Sequence, residues 1–393
     1  MRFLKNLAVS LLSFLLFLSL STFGLVLTLN HTVLNPRFIT SELDRLDVSS
    51  LAKEVLSEQA SQEEMEATLV NTIAKLEPLV KEQVAATTYS IYDYLLGKRQ
   101  NPELVLTLKN TFFNTDFVAS VVDELDISSL AVGFFRQKLA EEIPEEFMKY
   151  VAEYLDDAIT EAEPLIKEEM IAASGPVFDY LLGERQDLNV VISLEQITQT
   201  LRDNLREAFL QSPPPELAGV SPAMLEMAFN EFYSQAAGQI PSTFEINESL
   251  LGTEIPANIA TVLTQAEEAL AQAKEYVGYF QLGYKLLIGF IVLLILGIIL
   301  IIHEVKRATR TLGSTFVTFG AFNYASVLVA KYLARTQLQL PEIPASLQTW
   351  IPQFLGNLLA PMEMLSLGLL IGGIVLIIVS IFYKRRQPQP EPE

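Results

Sequence analysis

Four long stretches without charged residues constrain this chain most: residues 7–29, 286–302, 311–330 and 364–383. About 20 apolar residues in a helix cross the hydrocarbon core of a bilayer. The sequence therefore predicts a mainly α protein with four transmembrane helices. Residues 311–330 also contain several polar and small residues, so we expect this third span to pack among the other three.

Charge is distributed unevenly along the chain. The segment 31–280 holds 16 basic and 42 acidic residues, a net charge of −26, whereas the whole chain carries −20. This composition predicts a large acidic domain between the first and second spans. Such a surface argues against a nucleic-acid partner, because nucleic acids bind basic surfaces.

Short basic clusters flank the spans and predict their orientation, because Lys and Arg accumulate on the cytoplasmic side of a membrane. The clusters are Arg2 and Lys5; Lys306, Arg307 and Arg310; Lys384, Arg385 and Arg386. All of them fall on one side of a four-span arrangement. We therefore predict a multi-pass protein of the plasma membrane, as in a prokaryotic cell, with both termini in the cytoplasm and the acidic domain outside.

These observations divide the chain into ten predicted segments. They are a cytoplasmic N-terminus with the first span (1–30), two extracytoplasmic repeats (31–110 and 111–196), a helical region with a stalk (197–280), the second span (281–303), a cytoplasmic loop (304–311), the third span (312–333), an extracytoplasmic interfacial loop (334–362), the fourth span (363–383) and a cytoplasmic tail (384–393).

The acidic domain contains an internal duplication. Residues 35–52 align with 114–131 at ten of 18 positions, with an offset of 79. Residues 77–100 align with 163–186 at an offset of 86, so the second copy has gained seven residues. Seven residues are close to two helical turns, so a helix downstream of the insertion keeps the same face inward. The duplication therefore predicts helical repeats.

Proline and glycine frame one helix in each predicted copy. Pro78 and Pro164 suit the first turn of a helix, and Gly97 and Gly183 suit the position just after its last turn. A further amphipathic helix is predicted from about Pro222 to Ala237. The β-prone runs 104–108 and 189–194 follow the glycines and could pair as a minor two-stranded ribbon.

The most specific repeated motif is YDYLLGKRQ at 92–100 and FDYLLGERQ at 178–186. In one interpretation, Asp93, Arg99, Asp179 and Arg185 form two pseudo-symmetric recognition sites. In the other, the motif rebuilds the C-terminus of a helix, with Arg serving terminal carbonyls or the Asp one turn earlier. Because repeated residues first rebuild the same fold, we favour the second interpretation.

Three residues of the predicted spans are candidates for helix packing. Gly368 and Gly372 have the four-residue spacing that lets two helices approach closely. Asn323 lies in the middle of the third span, where we expect its amide to hydrogen-bond a neighbouring helix.

No pattern in the sequence predicts catalysis. The chain has no cysteine, and its two histidines, His31 and His303, fall on opposite sides of the predicted membrane. Phosphate-binding, dinucleotide-binding and nucleophile-elbow motifs are lacking from the sequence. We expect no enzyme activity, no cofactor and no metal site, and a lipid bilayer together with a protein partner in the envelope or a second copy as partners.

The sequence is consistent with two functions. The first is a non-enzymatic module that binds, senses or scaffolds through the acidic domain. The order of one span, a large outer domain and three further spans also resembles the FtsX and MacB type of membrane subunits. That resemblance concerns topology, and it implies transmission of conformational change between a cytoplasmic ATPase and the envelope.

Overall fold

The computed structural model describes residues 2–57, 63–128, 145–211, 213, 217, 219–237, 242–248, 259–336 and 343–382. Helices dominate the described residues. They are α1 Arg2–His31, α2 Pro36–Asp44, α3 Val48–Ser57, α4 Glu63–Leu95, α5 Leu104–Asn110, α6 Thr115–Glu124, α7 Glu145–Leu181, α8 Glu195–Gln211, α9 Pro222–Ala237, α10 Ile259–Ile302, α11 Val305–Thr336, α12 Ala345–Leu358 and α13 Ala360–Phe382. Two strands, β1 Asn189–Ser193 and β2 Thr243–Asn247, form an antiparallel sheet.

Four apolar helical segments are long enough to cross a membrane: Phe3–His31, Thr261–Ile302, Val305–Thr336 and Ala345–Phe382. Their length and composition are compatible with a multi-pass membrane protein. The segment containing α11 is the most buried of the four, which agrees with the prediction that this span packs among the others.

Two segments that the sequence analysis places between spans include helix in the structure. Most of the predicted loop 304–311 belongs to α11, which begins at Val305, and the interfacial segment includes α12 in spite of Pro352. The apolar residues of a helix mark the part that can lie in hydrocarbon. The helix itself can extend beyond them, because its backbone hydrogen bonds also form in polar surroundings. A span and its helix therefore end at different residues. The predicted tail 384–393 lies outside the described residues.

The chain forms two compact units. Unit 1 comprises Met1–Asp47, Thr88–Pro102 and Leu270–Glu393, and unit 2 comprises Val48–Thr87 and Glu103–Ala269. These boundaries divide the first predicted repeat, 31–110, between the two units.

Unit 1 is built around packed apolar helices. Leu16 of α1, Ile298 of α10 and Phe319 of α11 are completely buried and belong to one apolar cluster. Phe17 packs edge-on against Phe319, with 6.0 Å between the ring centroids. Leu365, Leu369 and Leu376 of α13 pack against this cluster, so the core joins all four apolar helices.

Glycines allow α11 and α13 to approach at backbone distance. A Cβ atom added to Gly320 would lie 2.6 Å from the Ser366 carbonyl oxygen, and one added to Gly373 would lie 2.7 Å from the Gly313 carbonyl oxygen. Small residues permit such contact between apolar helices, which gain dispersion energy from it. At Gly368 and Gly372, the predicted packing glycines, an added Cβ would meet no atom within 4 Å.

In unit 2, α7 packs against α6, α8 and β1. Val118 and Val122 of α6 are buried in an apolar cluster to which Ile166 and Phe178 of α7 contribute. The chain then forms β1, which pairs with β2 in a register that sets Val191 opposite Glu245.

The predicted partner of β1 is wrong. Residues 104–108 form the start of α5, not a strand, and β1 pairs with β2, about fifty residues later in the chain. Leu104 and Thr107 are both buried in α5, at the i, i+3 spacing of one helical face. Burial of that face outweighs the modest β propensity of the individual residues.

The predicted helix starts at the prolines are also wrong, whereas the predicted ends are correct. Pro78 and Pro164 lie inside α4 and α7, and Gly97 and Gly183 take left-handed φ values of 77° and 76°. An internal proline removes one backbone hydrogen bond. Both helices tolerate this loss because their apolar stripes continue past the proline.

Glu77 of α4 caps the N-terminus of α3. Its carboxylate accepts hydrogen bonds from the backbone N–H groups of Val48 and Ser49 and pairs with Lys81 at 2.7 Å. Burial alone raises the pKa of Glu77, but the hydrogen bonds from Lys81, Ser49 and Val48 and the charge of Lys81 outweigh it, so the pKa lies below its ordinary value. A neighbouring helix thus satisfies the end of α3.

We expect Glu77→Gln to lower stability by about 1 kcal/mol at neutral pH, as loss of a helix cap does. A lowered folded-state pKa stabilises the fold above the ordinary value of 4.5 and loses that contribution as pH falls through the folded pKa. The difference between wild type and variant in thermal unfolding should therefore shrink at acidic pH. Glu82→Gln, at an exposed position of the same helix, is the control, and an equal effect there would contradict the capping role.

Candidate functional site

The repeated motif forms two helix C-termini with the same backbone geometry. The Asp93 carbonyl oxygen accepts hydrogen bonds from the N–H groups of Lys98 and Arg99. The Asp179 carbonyl oxygen accepts the corresponding bonds from Glu184 and Arg185. In both copies a glycine in the left-handed conformation, Gly97 or Gly183, ends the helix and turns the following chain. The residues that the two motifs share therefore explain why the two helix ends have the same geometry.

The side chains of the first motif make local contacts. Asp93 pairs with Lys98 at 2.8 Å, and the Arg99 guanidinium donates to the Ser90 hydroxyl at 3.1 Å. Lys274 of α10 donates to the Arg99 carbonyl oxygen and lies 4.0 Å from the ring centroid of Tyr94. The ion-pair partner of Asp93 is therefore Lys98, whereas one interpretation of the sequence predicted Arg99.

The second motif replaces that lysine by Glu184, and a different cation compensates. Lys109 of α5 pairs with Glu184 at 2.5 Å and with Asp179 at 3.6 Å. Its hydrogen bond with Glu184 and the charges of both carboxylates raise the pKa of Lys109. Arg185 is exposed, and the two motifs belong to different compact units.

Asn323 is buried in α11, but its partner differs from the prediction. Its side-chain amide donates to the Phe319 carbonyl oxygen of the same helix at 3.1 Å, instead of to a neighbouring helix. A buried side-chain amide can donate a hydrogen bond to the backbone carbonyl one helical turn earlier, so it needs no partner on another helix.

A buried carboxylate that the sequence analysis missed lies in unit 1. Glu42 of α2 is 2% exposed. It accepts from the Arg45 guanidinium at 2.6 Å and from the Asn357 amide at 3.0 Å and 3.3 Å. The Trp350 indole N–H donates to the Glu42 carbonyl oxygen at 3.0 Å. The i, i+3 spacing of Glu42 and Arg45 was visible in the sequence, but α12 supplies the Asn357 and Trp350 contacts around Glu42.

Beside this network lies a polar cavity of about 360 Å³. Arg45, Lys331, Arg335, Gln353 and Asn357 contribute polar side chains to its wall. Lys331 forms an ion pair with Glu363 at the start of α13. The cavity therefore brings three cationic side chains together in unit 1.

Unit 2 contains a cavity of different character, with a volume of about 610 Å³. It lies between α7, α8 and the two strands, and its wall is almost entirely apolar. Representative lining residues are Ile159, Ala173, Val177, Ile192, Leu201 and Phe244. We call it the apolar cavity.

The two hydroxyl groups at the apolar cavity donate hydrogen bonds to backbone carbonyl oxygens. Ser174 donates to the Ile171 carbonyl oxygen at 2.7 Å, and Thr198 donates to the Leu194 carbonyl oxygen at 2.8 Å. Because each hydroxyl bonds to its own helix or the residue before it, the cavity offers a ligand mainly apolar contact. Glu169 is the charged residue in its wall.

Within the described residues, no group of three or more histidine, aspartate or glutamate side chains is placed to hold a metal ion. Searches against known protein families, curated proteins and solved structures gave no match.

Proposed function

We propose that the protein is a non-enzymatic, multi-pass membrane protein that binds the acyl chain of a neutral lipid in its acidic domain. The observation that carries this proposal is the apolar cavity of unit 2. Its volume of about 610 Å³ lies within the range of small-molecule sites, roughly 300–1,000 Å³.

The chemistry of the cavity supports an acyl chain as its occupant. Transfer of apolar surface from water contributes about 25 cal/mol per Å², so an unbranched hydrocarbon gains from a wall of Ile, Leu, Val and Phe. A neutral headgroup fits better than an anionic one, because Glu169 lines the cavity and the segment 31–280 carries a net charge of −26.

The proposal places the protein in the plasma membrane with both termini in the cytoplasm and the acidic domain outside. It also includes the ancestral duplication of residues 31–110 and 111–196. The matching glycines and backbone hydrogen bonds of the two motifs support that origin. A protein partner in the envelope or a second copy remains part of the proposal, with the bilayer as the surrounding medium.

The ATPase-coupled alternative has less support. Residues 259–336 are all described, and only His303 and Glu304 separate α10 from α11. His303 takes a left-handed φ of 56°, which makes the connection a tight turn. This stretch offers no separate element between the two helices to engage an ATPase, and binding is therefore the better-supported function.

The test is Ala173→Phe, which places a larger side chain in the cavity wall. Ala173 is 7% exposed. With the full chain in lipid nanodiscs, a monoacylglycerol carrying a diazirine on its acyl chain should label α7, α8 and β2 of the wild type. We expect about tenfold less labelling in the variant, since displacing two methylenes costs roughly 0.8 kcal/mol each.

Ala172→Phe is the matched control, because Ala172 is the exposed neighbour in the same helix and does not line the cavity. It should label like the wild type. Wild-type labelling confined to the four apolar helices, or equal labelling in the two variants, would contradict the proposed function. Thermal unfolding of both variants checks that the fold persists.

A further inference from the structure

A mostly apolar cleft adjoins the polar cavity of unit 1, and we call it the apolar cleft. The cleft has a volume of about 670 Å³ and shares Arg45, Asn357 and Ala360 with the polar cavity. Leu27, Phe38, Met364 and Leu365 form the apolar part of its wall. The other lining residues include His31, Thr32, Ser41 and Glu42. The cavity and the cleft therefore meet at three shared residues, with cations on one side and apolar side chains on the other. We call the two together the depression.

We propose that this depression binds an anionic phospholipid, with the phosphodiester beside Arg45, Lys331 and Arg335 and an acyl chain in the apolar cleft. The site is separate from the apolar cavity of unit 2 and involves other residues. It rests on placement of the four apolar helices in a membrane.

The depression lies where the uncharged part of the helices ends. Lys331 follows directly after the uncharged residues 311–330 of α11, and Glu363 directly precedes the apolar residues 364–382 of α13. Tyr332 directly follows Lys331 in the sequence, and the Trp350 indole donates to the carbonyl oxygen of Glu42 in unit 1. Tyrosine and tryptophan are enriched at the headgroup level of membranes. A lipid headgroup would occupy this depth.

The charges at the polar end sum to one positive charge. Arg45 is paired with Glu42, and Lys331 is paired with Glu363. Arg335 is exposed, and the described part of the chain places no carboxylate within ion-pair distance of it. A phosphodiester carries one negative charge, so it balances the site and accepts charge-assisted hydrogen bonds.

Glu42 acts here as a positioning residue. It is almost completely buried, and its bonds from Arg45 and Asn357 hold both side chains at the edge shared by the polar cavity and the apolar cleft. The Arg45 side chain remains 53% exposed, so it can still donate to a ligand. Preorganised cations lose less entropy on binding.

The cleft argues for a lipid over a soluble phosphate. Free phosphate or glycerol phosphate would leave the apolar wall of Leu27, Met364 and Leu365 uncovered, whereas an acyl chain would cover it. An anionic phospholipid fits both parts of the depression, because its phosphodiester accepts hydrogen bonds from the cations and its acyl chain covers the apolar wall.

The experiment uses the full chain in an uncharged detergent and counts bound lipid by native mass spectrometry. The probes are phosphatidylglycerol, phosphatidylcholine and diacylglycerol. We expect tightest retention of phosphatidylglycerol, and about fivefold weaker retention in Arg335→Gln, since one basic residue near an anionic lipid contributes roughly that factor. The melting temperature should stay unchanged, because Arg335 is exposed.

Arg310→Gln is the matched control, an exposed arginine near the opposite end of the same helix. It should retain phosphatidylglycerol like the wild type. Equal losses in Arg310→Gln and Arg335→Gln would reduce the effect to general charge attraction and overturn the site. Equal retention of the three lipids, or glycerol phosphate binding as tightly as phosphatidylglycerol, would also overturn it.

Discussion

Replacing Gly320 by leucine is expected to disrupt the contact between α11 and α13. The added Cβ would lie 2.6 Å from both the Leu370 nitrogen and the Ser366 carbonyl oxygen, and backbone atoms cannot rotate away as a flexible side chain does. Overpacking in a core typically costs 1–3 kcal/mol, and this site meets backbone from the first added carbon. We therefore expect a loss of about 3 kcal/mol, measured by thermal unfolding of the full chain in detergent.

Gly368→Leu on α13 is the control, because a Cβ there meets no atom within 4 Å. A substitution away from such contacts changes stability by about 0.5 kcal/mol or less. If Gly368→Leu instead destabilised the protein as much as Gly320→Leu, the glycine pair at 368 and 372 would pack against another chain. That result would favour the predicted homo-oligomer. It would also show that the α11–α13 contact at Gly320 is no more sensitive to a larger side chain than the site at Gly368.

Arg45→Ala is expected to have the second large effect, because it leaves Glu42 buried beside a single remaining side-chain donor, the Asn357 amide. Removing the partner of a charge costs about 3–5 kcal/mol where both members of the ion pair are buried. Since Arg45 itself is half exposed, we expect about 3 kcal/mol. Circular dichroism follows global unfolding, while the fluorescence of Trp350, the chain's one tryptophan, reports on α12.

Two comparisons make the Arg45 prediction specific. The double variant Glu42→Gln with Arg45→Ala should recover most of the lost stability, because the buried group is then neutral and still accepts from Asn357. Arg37→Ala, at an exposed position of the same helix, should be nearly silent. A double variant as unstable as Arg45→Ala would indicate that packing of the arginine stem, and not the buried charge, stabilises this region.

The sequence by itself determined the features that depend on neighbouring residues. The four apolar segments could be predicted because each charged residue placed in hydrocarbon raises the free energy by itself, whatever the rest of the fold. The left-handed ends at Gly97 and Gly183 could be predicted because only glycine takes that conformation without steric cost. The helix Pro222–Ala237 followed in the same way from apolar periodicity.

The tertiary structure decided the features that depend on residues distant in the chain. Hydropathy shows that α11 and α13 are apolar, but which glycines touch depends on how two surfaces fit, and Gly320 and Gly373 were not distinguishable from Gly368 and Gly372. The strand β1 was recognisable, whereas its partner β2 was not, because pairing is settled by burial on one face of the ribbon. Glu42, some 315 residues from Asn357, is a candidate site residue only because folding brings the two together.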